Sequence, residues 1–128
     1  MITEVFNTKE EVVQEAIDYY WNKPERRCLD ENMHCVYYPS GQSDGCAIGR
    51  YIDTELAENL DESLTVCSPL VLAMLPKWLT EMDNDGTGFL LSLQKCHDLD
   101  YFRDSQLGNF KSRLEEHVNI ESLKFPTS

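Results

Sequence analysis

The chain has 128 residues, of which 41% are hydrophobic and 27% charged, and its net charge is −12. These values are ordinary for one soluble globular domain, so residues 1–128 are expected to form a single domain. No run of ~20 apolar residues and no basic-then-apolar leader is present, which predicts a cytoplasmic protein without membrane contact. So acidic a surface repels phosphate backbones, and no direct nucleic-acid binding is expected. The charge either serves ordinary solubility, which is favoured, or attracts a basic partner surface.

The first predicted element is an N-terminal helix over about residues 9–22. Thr8 and Glu11 form a capping box, and the apolar residues that follow recur at helical spacing. Pro24 stands just after the expected end of the helix.

Two short β-type runs come next, near residues 34–38 and 46–52. Turn-forming residues separate them, so the pattern predicts a β-hairpin near 34–52. Gly49 inside the second run indicates either a bulge or a close backbone approach. The hairpin gives the predicted fold its β component.

Three or four further helices are predicted after the hairpin. They are expected near 53–60, over 69–82 with an interruption at Pro76, over 89–102, and from Asp104 or Ser105 to Val118. The tail, residues 121–128, is expected to fray. The predicted fold class is therefore α+β, mainly α, as one domain.

The five cysteines of the chain are an odd number in a sequence without a secretory leader. This combination indicates free thiols in a reducing compartment rather than a disulfide framework. Their spacings also lack the close pairs that zinc sites use, so no metal is expected. A calcium-like stretch begins at Asp83 but has Gln94 where the bidentate glutamate should stand, and no cofactor is expected.

Three motifs carry a resemblance to known proteins: Cys35-x-Tyr37, Gly45-Cys46-Ala47-Ile48-Gly49-Arg50, and Leu90-x-x-Leu93-Gln94-x-x-His97-Asp98. Together they resemble a group of small phage and bacterial proteins in which such a hairpin precedes such a helix. The resemblance implies a phage-type accessory protein acting in the host-cell cytoplasm, with countering of bacterial immunity as its setting. It implies no catalytic role.

The same motifs supply a candidate ligand pocket. Its predicted residues are Arg50, Tyr37, Tyr51, Gln94, His97 and Asp98. A planar guanidinium suits a phosphate or carboxylate, and a tyrosine face can stack on a base, which predicts a small nucleotide-like ligand. The alternative, in which Arg50 pairs with a protein carboxylate and the tyrosines cover the core, is left open.

The favoured function is a non-enzymatic protein that binds a nucleotide-like ligand or a host protein, with the acidic run 53–62 as a candidate partner surface. The alternative is a hydrolase or transferase in which Cys46 is the nucleophile and His97 the base. Asp98 is expected to orient His97 poorly, because adjacent helical side chains point apart. A homo-oligomer is left open.

Overall fold

The computed structural model describes residues 2–29, 36–38, 45–57, 59, 69–83 and 88–126. Six α-helices lie in this part of the chain: α1 (Lys9–Tyr20), α2 (Thr54–Ala57), α3 (Pro69–Met74), α4 (Lys77–Glu81), α5 (Phe89–Asp98) and α6 (Leu107–Leu114). Four single turns of 3-10 helix accompany them: Pro24–Arg26, Gly49–Tyr51, Asp104–Gln106 and Ile120–Ser122.

Helix α1 begins where its capping residue predicts. The backbone N–H of Glu11 donates to Thr8 Oγ1 at 3.2 Å, which satisfies one of the unpaired amides of the first turn. The inward side of the helix is fully buried: Val12, Val13, Ala16, Ile17 and Tyr20. The helix ends slightly before residue 22 because Asn22 adopts a left-handed conformation with φ of 57°.

The predicted β-hairpin near 34–52 is wrong, since the described ranges contain no strand. Every residue from 45 to 52 is buried, whereas a strand with one solvated face would alternate. The run instead forms a turn followed by the 3-10 helix Gly49–Tyr51. A short apolar run in a sequence does not distinguish a strand from a buried turn, and here the run forms a buried turn. Residues 39–44 of the predicted hairpin lie outside the described residues.

Gly49 makes the close backbone approach that its position in the sequence indicates. A Cβ built on Gly49 would lie 2.7 Å from the Cα of Tyr37 and closer still to the Tyr37 carbonyl oxygen. Real Cβ atoms do not come so near to backbone, so only glycine fits here. The segment is further tied down by the amide of Cys46, which donates to the carbonyl of Val36 at 2.9 Å.

The helices predicted after residue 52 are present as α2 to α6. Helix α5 is shorter than predicted because Asp100 takes a left-handed φ of 60°, and the amide of Tyr101 then turns back to the carbonyl of Cys96 at 2.9 Å. Before α5, the Asp83 carboxylate accepts from the amide of Phe89 at 2.7 Å, so it caps the helix across the break. Residues 84–87 lie outside the described residues.

The C-terminal segment lies against α1 up to residue 126. Gln14 exchanges two hydrogen bonds with the backbone of Lys124, each 2.8 Å long, and the ring of Phe125 packs on Trp21 at 4.8 Å. Residues 124 and 125 therefore contact α1, and the fraying expected of the tail stays a prediction. No helix in the described ranges is both long and apolar enough to cross a membrane.

Candidate functional site

His97 lies at the centre of a buried polar network on α5. Its Nε2 accepts from the backbone N–H of Cys28 at 2.9 Å, and its Nδ1 lies 2.8 Å from Asp98 Oδ1. Because Nε2 accepts, we assign the ring proton to Nδ1, which donates to Asp98. Burial lowers the pKa of His97, although Asp98 works in the opposite direction. The ring is therefore a neutral clamp between α5 and residue 28.

The expectation that His97 and Asp98 point apart is wrong. Asp98 is the last residue of α5, where its carboxylate turns back and accepts from both His97 and the side-chain amide of Gln94, the latter at 2.8 Å. Arg27 holds the same helix end by donating to the carbonyls of residues 97 and 98, at 3.2 and 2.7 Å. Helix-interior geometry does not apply at a terminus fixed in this way.

Gln94 connects α5 to the segment 45–52. Its Oε1 accepts from the backbone N–H of Ile48 at 3.0 Å, while its Nε2 donates to Asp98. The buried amide of Ile48, which would have paired across a hairpin, is thus satisfied by a side chain. The hydrogen bond explains why a polar glutamine stands on the buried face of α5.

Arg50 is only 3% exposed and is paired with Glu15 of α1. Its two terminal nitrogens donate to the two carboxylate oxygens at 2.7 and 2.6 Å, and its plane lies over the rings of Tyr19 and Tyr20 at 4.2 and 4.9 Å. Burial opposes the charge, but the hydrogen bond and the charge of Glu15 raise the pKa of Arg50 overall. The guanidinium is therefore charged and already bound to a carboxylate.

Tyr20 joins the two patches that the sequence singles out. Its ring contacts the Arg50 guanidinium and also the ring of His97, the latter at 5.1 Å, while its hydroxyl donates to the carbonyl of Gly45 at 2.7 Å. The sequence reasoning missed Tyr20, Glu15 and Arg27. The helical spacing of α1 marks Tyr20 as a core position but carries no sign of its polar contacts.

Five of the six predicted pocket residues are buried, and Asp98 is part-exposed at the end of α5. Tyr37 and Tyr51 are both buried, and burial raises the pKa of Tyr51. The hydroxyl of Tyr51 and the Nε of Arg50 are buried without a hydrogen-bond partner in the part of the chain described. Ligand binding by these six residues stays a prediction, and each of them has a role in packing.

The cysteines differ from the expectation of free thiols. Cys46 is disulfide-bonded, so the expectation is wrong at this residue, and a disulfide sulfur is not a thiolate nucleophile. Cys28 and Cys96 retain buried thiols, and burial raises the pKa of Cys96 to about 12. Spacing along the chain does not reveal which cysteines meet in the fold. Cys35 and Cys67 lie outside the described residues.

The remaining predicted features are only partly visible. Within the described ranges no three histidine, cysteine, aspartate or glutamate residues form a group that could hold a metal ion. Asp53 and Glu55 of the candidate partner surface are exposed, whereas residues 58 and 60–62 of that run lie outside the described residues.

An open groove of about 290 Å³ runs along the outer side of α1. We call it the acidic groove; it is lined by Glu4, Phe6, Glu11, Gln14, Glu15 and Asp18. Residues 11, 15 and 18 share one face of the helix because they are spaced by four and three. Among the described residues Glu4, Glu11 and Asp18 have no cationic partner, unlike Glu15.

The chain matches no protein-family model, no curated protein and no solved structure. The resemblance to small phage and bacterial proteins therefore stays an expectation. Function has to be argued from the contacts and charges of this molecule alone.

Proposed function

We propose that the protein is a non-enzymatic binding protein that holds a basic segment of another protein in the acidic groove. The observation that carries the proposal is the groove itself: its rim has three carboxylates without a cation in the described part of the chain. A net charge of −12 attracts a basic partner over a longer range. Long-range attraction and local carboxylates together favour a lysine- or arginine-bearing segment.

The dimensions of the acidic groove suit a short peptide. From Glu11 to Asp18 the helix rises about 10 Å, at 1.5 Å per residue. Three residues of extended chain span about the same length. Side chains two residues apart would both face the helix with their Cα atoms about 7 Å apart, and the long, flexible stems of lysine or arginine would cover the remaining ~3 Å, so two basic residues would meet the two carboxylates.

An aromatic side chain supports the same class of partner. Phe6 is half-buried in the acidic groove, and its ring meets the edge of Trp78 at 5.9 Å. Lysine and arginine lay their aliphatic stems on such surfaces while their charged ends reach the carboxylates. The carboxylate of Glu15 is already paired with Arg50, so Glu15 lines the acidic groove but does not bind a basic residue of the partner.

The groups that would support catalysis or nucleotide binding have protein partners instead. Both nitrogens of His97 are engaged, Cys46 is in a disulfide, and a phosphate at Arg50 would have to displace Glu15. These contacts favour binding of a partner protein at the exposed groove over binding of a small ligand at the buried residues. In the setting that the resemblance implies, the basic segment would belong to a host protein engaged by a phage protein.

A labelled model peptide and charge-matched variants test the proposal. The probe is a fluorescein-labelled hexapeptide of alternating lysine and leucine, followed by anisotropy at low and at physiological salt. The double variant Glu11→Lys, Asp18→Lys should weaken binding about tenfold, because two ion pairs become two repulsions. Its control, Glu115→Lys with Glu116→Lys, changes the net charge equally at exposed sites on another helix end.

The comparison between the two double variants decides the matter. If only the α1 variant loses affinity, the acidic groove is the binding surface. Equal losses would show that the peptide responds to net charge alone and would overturn the proposal. The absence of any saturable binding by the unaltered protein at low salt would overturn it as well.

A further inference from the structure

A second cleft, separate in its residues from the acidic groove, lies beside α6. It has a volume of about 340 Å³ and is lined by Tyr101, Asn109, Ser112 and Arg113. Asn109, Ser112 and Arg113 occupy one face of α6, because they are spaced by three and by four. Tyr101 follows the end of α5, where its amide is fixed on the carbonyl of Cys96.

Arg113 differs from every other arginine of the chain. The other four each donate to a backbone carbonyl or a carboxylate: Arg26, Arg27, Arg50 and Arg103. Arg113 has no ion pair or hydrogen bond in the part that the structure describes. Its charge acts on the buried thiol of Cys96, so its guanidinium lies close to α5. An unpaired guanidinium beside a cleft has its full donor capacity left for a ligand.

The other lining groups add donors and no negative charge. The hydroxyls of Tyr101 and Ser112 make no hydrogen bond within the described ranges. Asn109 uses one amide hydrogen on Gln106 at 2.7 Å and retains the second. Among the described residues no carboxylate lines this cleft. In a protein of net charge −12, such a local set of donors is selective for an anion.

We propose that this cleft binds the phosphate group of a small phosphomonoester. The guanidinium of Arg113 would take two phosphate oxygens in its fork, the geometry that distinguishes arginine from lysine. Ser112 and Asn109 stand on the same helical face to donate to the third oxygen. The volume, near the lower end for ligand pockets, admits a phosphate with a modest organic group beside Tyr101.

Nuclear magnetic resonance of the ¹⁵N-labelled full chain tests this site directly. The probes are inorganic phosphate, adenosine monophosphate and adenosine, titrated separately at constant ionic strength. We expect saturable shifts of the Arg113 Nε–H signal and of the amides of residues 109–113 with the two phosphate compounds, and none with adenosine. Arg113→Gln should weaken binding about tenfold or more, since hydrogen bonds from a charged donor to phosphate are lost.

Lys111→Gln is the matched control, because it removes the same charge from an exposed position on the same helix. The control should bind like the unaltered protein. Tighter binding of adenosine monophosphate than of phosphate supports the site with a ring contact at Tyr101, and equal binding supports recognition of the phosphate alone. Shifts with adenosine that match those with the monophosphate, equal losses in both variants, or no saturable shift would each overturn the proposal.

Discussion

His97 should make the protein less stable as the solution becomes mildly acidic. In the unfolded chain its imidazole titrates near pH 6.5, whereas burial keeps it neutral in the fold to a lower pH. Below pH 6.5 the unfolded state therefore binds more protons, and the free energy of unfolding falls with pH. Linkage to an ordinary pKa of 6.5 limits the loss between pH 7 and 5.5 to at most about 1.3 kcal/mol, the value for a folded ring that stays neutral throughout.

Replacing His97 with glutamine removes the titrating group but retains one acceptor for Cys28 and one donor for Asp98. Urea unfolding of both proteins at several pH values then isolates the histidine, because the carboxylates are common to both. The difference in unfolding free energy should shrink as the pH falls from 7 to 5.5, by up to about 1.3 kcal/mol. Parallel curves would refute the reasoning, as would a ¹³Cε1 signal showing that His97 takes up a proton near pH 6.5 in the folded protein.

Three further experiments test the glycine positions, the buried ion pair and the disulfide. In a thermal unfolding assay, Gly49→Ala should lower stability by about 2 kcal/mol or more, because the added Cβ would overlap backbone. Gly108→Ala should raise stability by about 0.5 kcal/mol in the same assay, because Gly108 lies in α6 with open space around it. Glu15→Gln should cost about 3 kcal/mol by leaving Arg50 buried without its counter-charge, and the double variant Glu15→Leu, Arg50→Met should cost less than the sum of the single changes in a double-mutant cycle. Because the disulfide at Cys46 occupies two of the five cysteines, alkylation of the denatured, unreduced chain should label at most three thiols by mass spectrometry; five labels would contradict the disulfide.

The helices could be predicted from the sequence because their signals are local. Thr8 caps the first turn of α1, and Pro69 is the first residue of α3. The apolar spacing that predicts α1 lies within the helix itself. The ends were harder to predict. Helix α5 ends because Asp100 adopts a left-handed conformation. An aspartate tolerates this conformation, but an aspartate in the sequence does not predict it.

The segment 45–52 could not be assigned correctly, because its conformation depends on contacts distant in sequence. Tyr20 binds the carbonyl of Gly45, and Gln94 binds the amide of Ile48. These side chains take the hydrogen bonds that a second strand would have made, so the apolar run packs between α1 and α5 as a turn. The pattern of residue types within the run cannot predict these distant hydrogen-bond partners.

The ligand pocket around Arg50 was predicted from the types of its residues. Whether a residue can bind a ligand depends instead on hydrogen-bond donors and acceptors that have no partner within the protein. Arg50 and Arg113 are the same residue type in opposite situations. Arg50 is buried and its two terminal nitrogens donate to Glu15, whereas Arg113 lines an open cleft without a partner in the described part of the chain. A buried polar group has to be satisfied internally, since an unsatisfied one is costly. Groups that stay unsatisfied at an open surface are therefore those that can bind something else. By that criterion we propose the acidic groove on α1 and the donor-lined cleft on α6 as the functional surfaces of this protein, whereas the motifs that stand out in its sequence make contacts within the core.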